Sequence, residues 1–139
     1  MASFVKFYAF AGDLMQGLHD LQAAGDVVKV YLTNAAPSVS ADSIKTDLAE
    51  ISAENGYPAG GTDIQNDVSE SGGTASMTGV DVVFTASGGT FGPFRYAVLY
   101  NDTATDDPLI GYWDYGSSIT PADPETFTVD FTTTIIDIT

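Results

Sequence analysis

The chain has 139 residues, which fits one domain able to enclose a core of its own. It carries 19 acidic residues against four basic ones, a formal charge of −15, and no cysteine. Four scattered cations (Lys6, Lys29, Lys45 and Arg95) build no basic patch, so nucleic-acid binding is excluded and an anionic membrane surface disfavoured; without cysteine there is neither a disulfide framework nor a thiolate metal site.

The apolar share of 44% is that of a globular protein. No apolar run reaches the ~18 residues of a membrane span. The apolar start around Phe4 and Phe10 lacks a basic leader and is cut short by Asp13, so no signal peptide is expected.

From the N-terminus, Phe4, Phe7, Tyr8, Ala11, Leu14, Met15, Leu18 and Leu21 recur at spacings of three and four. That period predicts an amphipathic helix over residues 3–23, with Asp13, Gln16 and Asp20 on its other face. Ser3 is a suitable N-cap and Gly25 a suitable stop, while Gly12 and Gly17 each weaken the helix by about 1 kcal/mol relative to Ala. Residues 1–25 therefore read as a helix that packs on the core or as an arm that reaches a partner.

Residues 26–34 read as a strand, with Val28, Val30 and Leu32 alternating against Lys29, Tyr31 and Thr33. Asp42 or Ser43 is placed to cap one helical turn over residues 44–48. Residues 54–61 are loop by composition, 64–68 a short strand, and 70–73 a turn. Strand character resumes over 75–84, with Val80, Val82 and Phe84 on one side, and Gly88-Gly89 is a hairpin signal. In the next strand Phe94, Tyr96, Val98 and Tyr100 share one face, and Arg95, Ala97 and Leu99 the other. A polar loop over 101–108 leads to a strand over 109–115. These three strands are expected to form a meander that holds eight of the chain's sixteen Phe, Tyr and Trp residues. A loop over 117–125 precedes a final alternating strand, 126–134, which Ile135, Ile136 and Ile138 extend. The expected fold is mainly β and single-domain over 1–139. Residues 26–139 form an antiparallel β-sandwich or small barrel, jelly-roll-like, behind the N-terminal amphipathic helix or arm.

Catalytic chemistry is sparse in this sequence. His19 is the sole histidine, there is no Gly-X-Ser-X-Gly elbow, and His19 is expected at the surface or an interface near a helix C-terminus. Asn101, Asp102, Asp106 and Asp107 offer oxygens for a hard cation, but without the spacing of a calcium loop they read as turn formers. The paired glycines lack the context of a phosphate-binding loop. No catalytic, cofactor-binding or metal-binding residue is assigned, and a non-enzymatic role is expected. Tyr112, Trp113 and Asp114, with Tyr115 beside them, fit either a sugar-stacking platform or packing in a core or interface. Arg95 needs a carboxylate, and Asp114 on the neighbouring strand is the expected ion-pair partner, within the chain or across subunits.

Gly92-Pro-Phe-Arg-Tyr-Ala-Val-Leu-Tyr-Asn-Asp102, Leu109-Ile-Gly-Tyr-Trp-Asp-Tyr-Gly-Ser-Ser-Ile119 and Glu125-Thr-Phe-Thr-Val-Asp-Phe131 resemble a widespread group of small structural proteins of tailed bacteriophages. Val28-Lys-Val-Tyr-Leu-Thr-Asn34 and Asn55-Gly-Tyr-Pro-Ala-Gly-Gly61 extend the resemblance over nearly the whole chain. Within that group the chain is similar to head decoration, or capsid cement, proteins. The resemblance implies a β-rich protein on the exterior of the virion capsid. Such a protein binds the major capsid protein, bridges neighbouring subunits to stabilise the shell, and acts as a homodimer or homotrimer, with no cofactor. Contacts are then expected through Phe4, Phe7 and Tyr8 of the N-terminal segment and through Tyr57, Tyr112, Trp113 and Tyr115. The alternative is a tail-associated or receptor-binding module that recognises a surface carbohydrate through Tyr112, Trp113 and Asp114.

Overall fold

The two segments with the clearest alternation become the centre of the largest sheet in the computed structural model, which describes residues 2–139. They are β2 (Val28–Thr33) and β7 (Phe94–Asn101), antiparallel and in continuous register from Val28 opposite Asn101 to Thr33 opposite Tyr96. β8 (Leu109–Ile119) pairs with the other edge of β7; β1 (Phe4–Lys6) and β3 (Thr62–Asp63) close the order β1-β8-β7-β2-β3. A second sheet has the order β10-β5-β4, built from Ile136–Ile138, Thr74–Thr78 and Asp67–Ser71. A two-stranded ribbon joins β6 (Val82–Thr85) to β9 (Thr126–Val129). Every pairing is antiparallel, and the molecule is mainly β with one short α-helix, α1 (Tyr8–Met15). The largest sheet is open, so the described residues form no closed barrel.

Both faces of the central sheet are covered. Val28, Val30 and Leu32 of β2, with Ala97 and Leu99 of β7, join the main core, which takes in Met77, Val82, Phe84, Val129 and Phe131 from the other strands and loops. Tyr31, Tyr96, Val98 and Tyr100 face the opposite way and pack with Phe7, Leu48 and Leu109. Two-sided burial accounts for large apolar or aromatic side chains at both parities of β2 and β7.

The expected helix over 3–23 is reduced to eight residues, and its N-terminal part is a strand. Phe4, Val5 and Lys6 pair with Trp113, Tyr112 and Gly111, because Gly111 has no side chain and the Phe4 ring lies across it. Gly17, at φ +80°, ends α1 well before Gly25. Leu18 N–H donates to Asp13 O at 3.0 Å and Gly17 N–H to Leu14 O at 3.2 Å, a Schellman stop that only a residue tolerant of left-handed φ completes. Ser3 caps nothing; Phe7 is the N-cap, and no side chain bonds to it.

The expected meander is corrected as well. β6 pairs with β9 and leaves β7 to β2 and β8. Of the pair Gly88-Gly89 only Gly88 has positive φ, whereas Gly72 and Gly73 are both positive, at 59° and 90°. Gly72-Gly73 lies between the paired strands β4 and β5 and, with both residues at positive φ, suits a type I′ turn, whereas 88–89 connects β6 to β7 in a different sheet. The expected final strand divides into β9 and β10, and β10 pairs with β5. The helical turn near residue 44 is a 3-10 turn, Lys45–Asp47. Neither Asp42 nor Ser43 caps it; Asp47 Oδ2 accepts from Ser43 N–H and Ile44 N–H at 2.8 and 3.1 Å.

Candidate functional site

The aromatic residues singled out in the sequence separate by burial. Phe7 and Tyr57 are enclosed within the chain, and Trp113 is only 6% exposed, packed at a tilt against both Phe4 and Phe131. Their surfaces are turned inward, so within this chain none of the three is presented at the surface. Phe4, Tyr112 and Tyr115 are partly buried, and Tyr8 is 66% exposed. The Tyr115 ring packs edge-on against Phe127, and burial lifts its hydroxyl to a pKa of about 12. A sugar-stacking platform needs an open ring face; Trp113 offers none. Asp114 is also committed elsewhere, accepting from Arg95 and from Gly116 N–H.

Arg95 and Asp114 meet within the chain as a bidentate pair, Nε to Oδ1 at 2.7 Å and Nη2 to Oδ2 at 3.1 Å. Charge-assisted hydrogen bonds from Arg95, and then the Gly116 amide, hold the Asp114 carboxyl below the usual carboxylate range. The pair sits at a register break: Phe94 faces Ile119 while Tyr96 faces Asp114. Two steps of β7 there span five of β8, so the extra residues lie on β8 between Asp114 and Ile119, and Phe94 joins the main core while Tyr96 packs on the opposite side.

Two buried polar networks carry no motif in the sequence. In the first, Glu50 accepts from Lys45 Nζ at 3.0 Å, from the Tyr57 hydroxyl at 2.6 Å and from Gly60 N–H at 2.7 Å. Tyr57 in turn accepts from Leu32 N–H, and the Tyr100 hydroxyl donates to Gly60 O at 2.6 Å. This network fastens the loop over 50–61 to the central sheet. Burial, followed by the bond to Glu50, pushes the Tyr57 hydroxyl pKa far up. Only the spacing of Glu50, Tyr57 and Gly60 exists as a signal, and it matches no known pattern.

In the second, Asn101 joins three segments. Its Oδ1 accepts from Thr103 N–H and Ala104 N–H, both at 3.0 Å, which is turn chemistry for the 101–108 loop. Its Nδ2 lies 2.7 Å from Asp26 Oδ2 and 3.0 Å from His19 Nδ1. Since that amide nitrogen only donates, His19 Nδ1 accepts and the ring is neutral with its proton on Nε2. His19 is 8% exposed, against the surface position expected for it, and Nε2 has no protein partner among the described residues. Burial lowers its pKa, opposed by Asp13 and Asp26.

Acidic residues far outnumber basic ones. Lys29, Lys45 and Arg95 are paired with Asp102, Glu50 and Asp114. Among the described residues Lys6 makes no ion pair. Against that background, exposed apolar side chains gather around α1: Val5, Tyr8, Leu18 and Met15, the last 90% exposed. Comparison with protein-family models, with curated proteins and with solved structures finds no match.

Proposed function

We propose that this chain is a non-enzymatic structural protein of a tailed-phage virion, a decoration protein that binds the outside of the capsid and bridges neighbouring capsid subunits. The reading rests on the resemblance of the 92–102, 109–119 and 125–131 stretches. The observation that carries it furthest is the exposed apolar cluster around α1 on a strongly acidic surface. Isolated exposed apolar residues are ordinary, but several together beside a charge-rich surface are typical of a docking face. The partner is the major capsid protein, with self-association as a homodimer or homotrimer adding contacts. Binding at many equivalent positions on one shell multiplies individually weak contacts.

In this reading the five-stranded sheet is one layer of a β-sandwich of jelly-roll type, and the β10-β5-β4 sheet with the β6-β9 ribbon supplies the other. The support is the main core, whose side chains come from one face of β2 and β7 on one side and from β5, β6 and β9 on the other. The test is sedimentation of the purified protein with undecorated capsids. Co-sedimentation that saturates at a fixed number of copies per shell, and weakens for Tyr8→Ala with Met15→Ala, is the expected result; no co-sedimentation over a range of salt refutes it.

A further inference from the structure

β1 and β10 each end a sheet. β1 pairs only with β8, and β10 only with β5, so each strand has one edge without a strand partner. Both strands line the same groove, of about 530 Å³, where Phe4 and Lys6 lie across from Ile136 and Ile138, with Leu14 and Met15 of α1 beside them. The groove continues past Leu14 and Ile136 into a second hollow of about 460 Å³, bounded by Val68, Met77 and Asp20. Together they make a furrow whose lining is largely apolar and which is bordered by residues of the end strands of two sheets.

We propose that this furrow accepts an extended peptide segment of a partner, apolar at alternate positions and basic at one end. Unpaired strand edges supply main-chain donors and acceptors at regular spacing, which an extended segment satisfies and a helix does not. The side chains of such a segment point alternately, so one set enters the apolar lining while the other faces solvent. The charges set its polarity. Asp20 and the neutral His19 both line the second hollow. Lys6 and Asp137 both line the other groove. A basic residue is therefore favoured at the Asp20 end. A second copy of this chain fits less well, because it brings another 15 negative charges to the same face. The inference stands apart from the capsid reading, since it concerns what the furrow takes and not which assembly presents it.

The test selects random twelve-residue peptides by ribosome display against the full-length protein and then synthesises the enriched sequences. The expected peptides alternate apolar and polar residues and carry Lys or Arg at one end. They protect the amides of residues 4–6 and 136–138 from hydrogen exchange at least tenfold, and they bind at least tenfold more weakly to Met15→Lys and to Ile138→Lys. Both substituted residues are well exposed, so these variants keep the fold. Enrichment of acidic or helical peptides, no enrichment, or protection confined to other strands overturns the proposal. So does a sedimentation-velocity result in which the protein alone is a dimer that Met15→Lys dissociates, because a second copy then holds the face.

Discussion

At single residues, backbone space and protonation decide more than residue type. A Cβ added at Gly111 collides with the Phe4 ring and lies 2.7 Å from Val5 O, so Gly111→Ala forces β1 away from β8. The expected cost is about 1–3 kcal/mol, the usual range for overpacking. It is read from urea denaturation, together with faster exchange of the amides of residues 4–6. His19 gives a pH signature of defined sign. Its folded pKa lies below the ordinary 6.5, so below about that pH the unfolded chain binds a proton that the folded chain refuses. Stability contributed at His19 is complete above 6.5 and falls as pH drops towards the folded value. Protonation also turns Nδ1 into a donor facing the donating Nδ2 of Asn101. Asn101 cannot flip to accommodate it, because its oxygen already holds Thr103 N–H and Ala104 N–H. The stability difference between wild type and His19→Gln should therefore shrink between pH 8 and pH 5 in melts of both proteins. A difference that does not change with pH counts against this account.

At the scale of elements, the limits of the strands and the helix follow from a few positions. α1 stops at Gly17, whose surroundings leave room for a Cβ but whose φ does not suit one. Gly17→Ala should cost about 1–2 kcal/mol through left-handed strain alone, as measured by denaturant unfolding with an unchanged m-value. Much of the element pattern is legible in the sequence. The period of two in residues 28–33 and 94–101 gives β2 and β7, and the run Leu109-Ile-Gly-Tyr-Trp gives β8. Three things are not legible, each for a physical reason. The helical period over residues 4–8 is overridden because β8 offers backbone partners to residues 4–6. Phe94 and Tyr96 pack on opposite sides where the register slips against extra residues of β8, and alternation within β7 does not reveal an irregularity in its neighbour. The pairing of β6 with β9 is long-range, and the Gly-Gly pairs at 72–73 and 88–89 read alike although only the first joins two paired strands.

For the whole molecule, charge dominates. With 19 acids against four bases, self-repulsion opposes folding at neutral pH. Added sodium chloride screens that repulsion, its reach falling to about 3 Å at 1 M, so the melting temperature at pH 7 should rise between 0.02 and about 0.5 M salt. A melting temperature that falls over that range would show that the ion pairs of Lys29, Lys45 and Arg95 outweigh the repulsion. The candidate surface was only partly legible. The sequence points to the aromatic residues near 112–115, yet the burial of β8 places Trp113 inside, and the exposed large apolar side chains include Tyr8 and Met15 of α1. Exposure depends on how the N-terminal segment lies on the sheet, which a local pattern does not encode. The central claim, that the chain binds and strengthens a capsid, is tested most directly by calorimetry of undecorated capsids with increasing amounts of the protein. The account predicts that the shell's transition moves to higher temperature and saturates when its binding positions fill. A transition that stays in place while the protein is bound, or a protein that never binds, would contradict it.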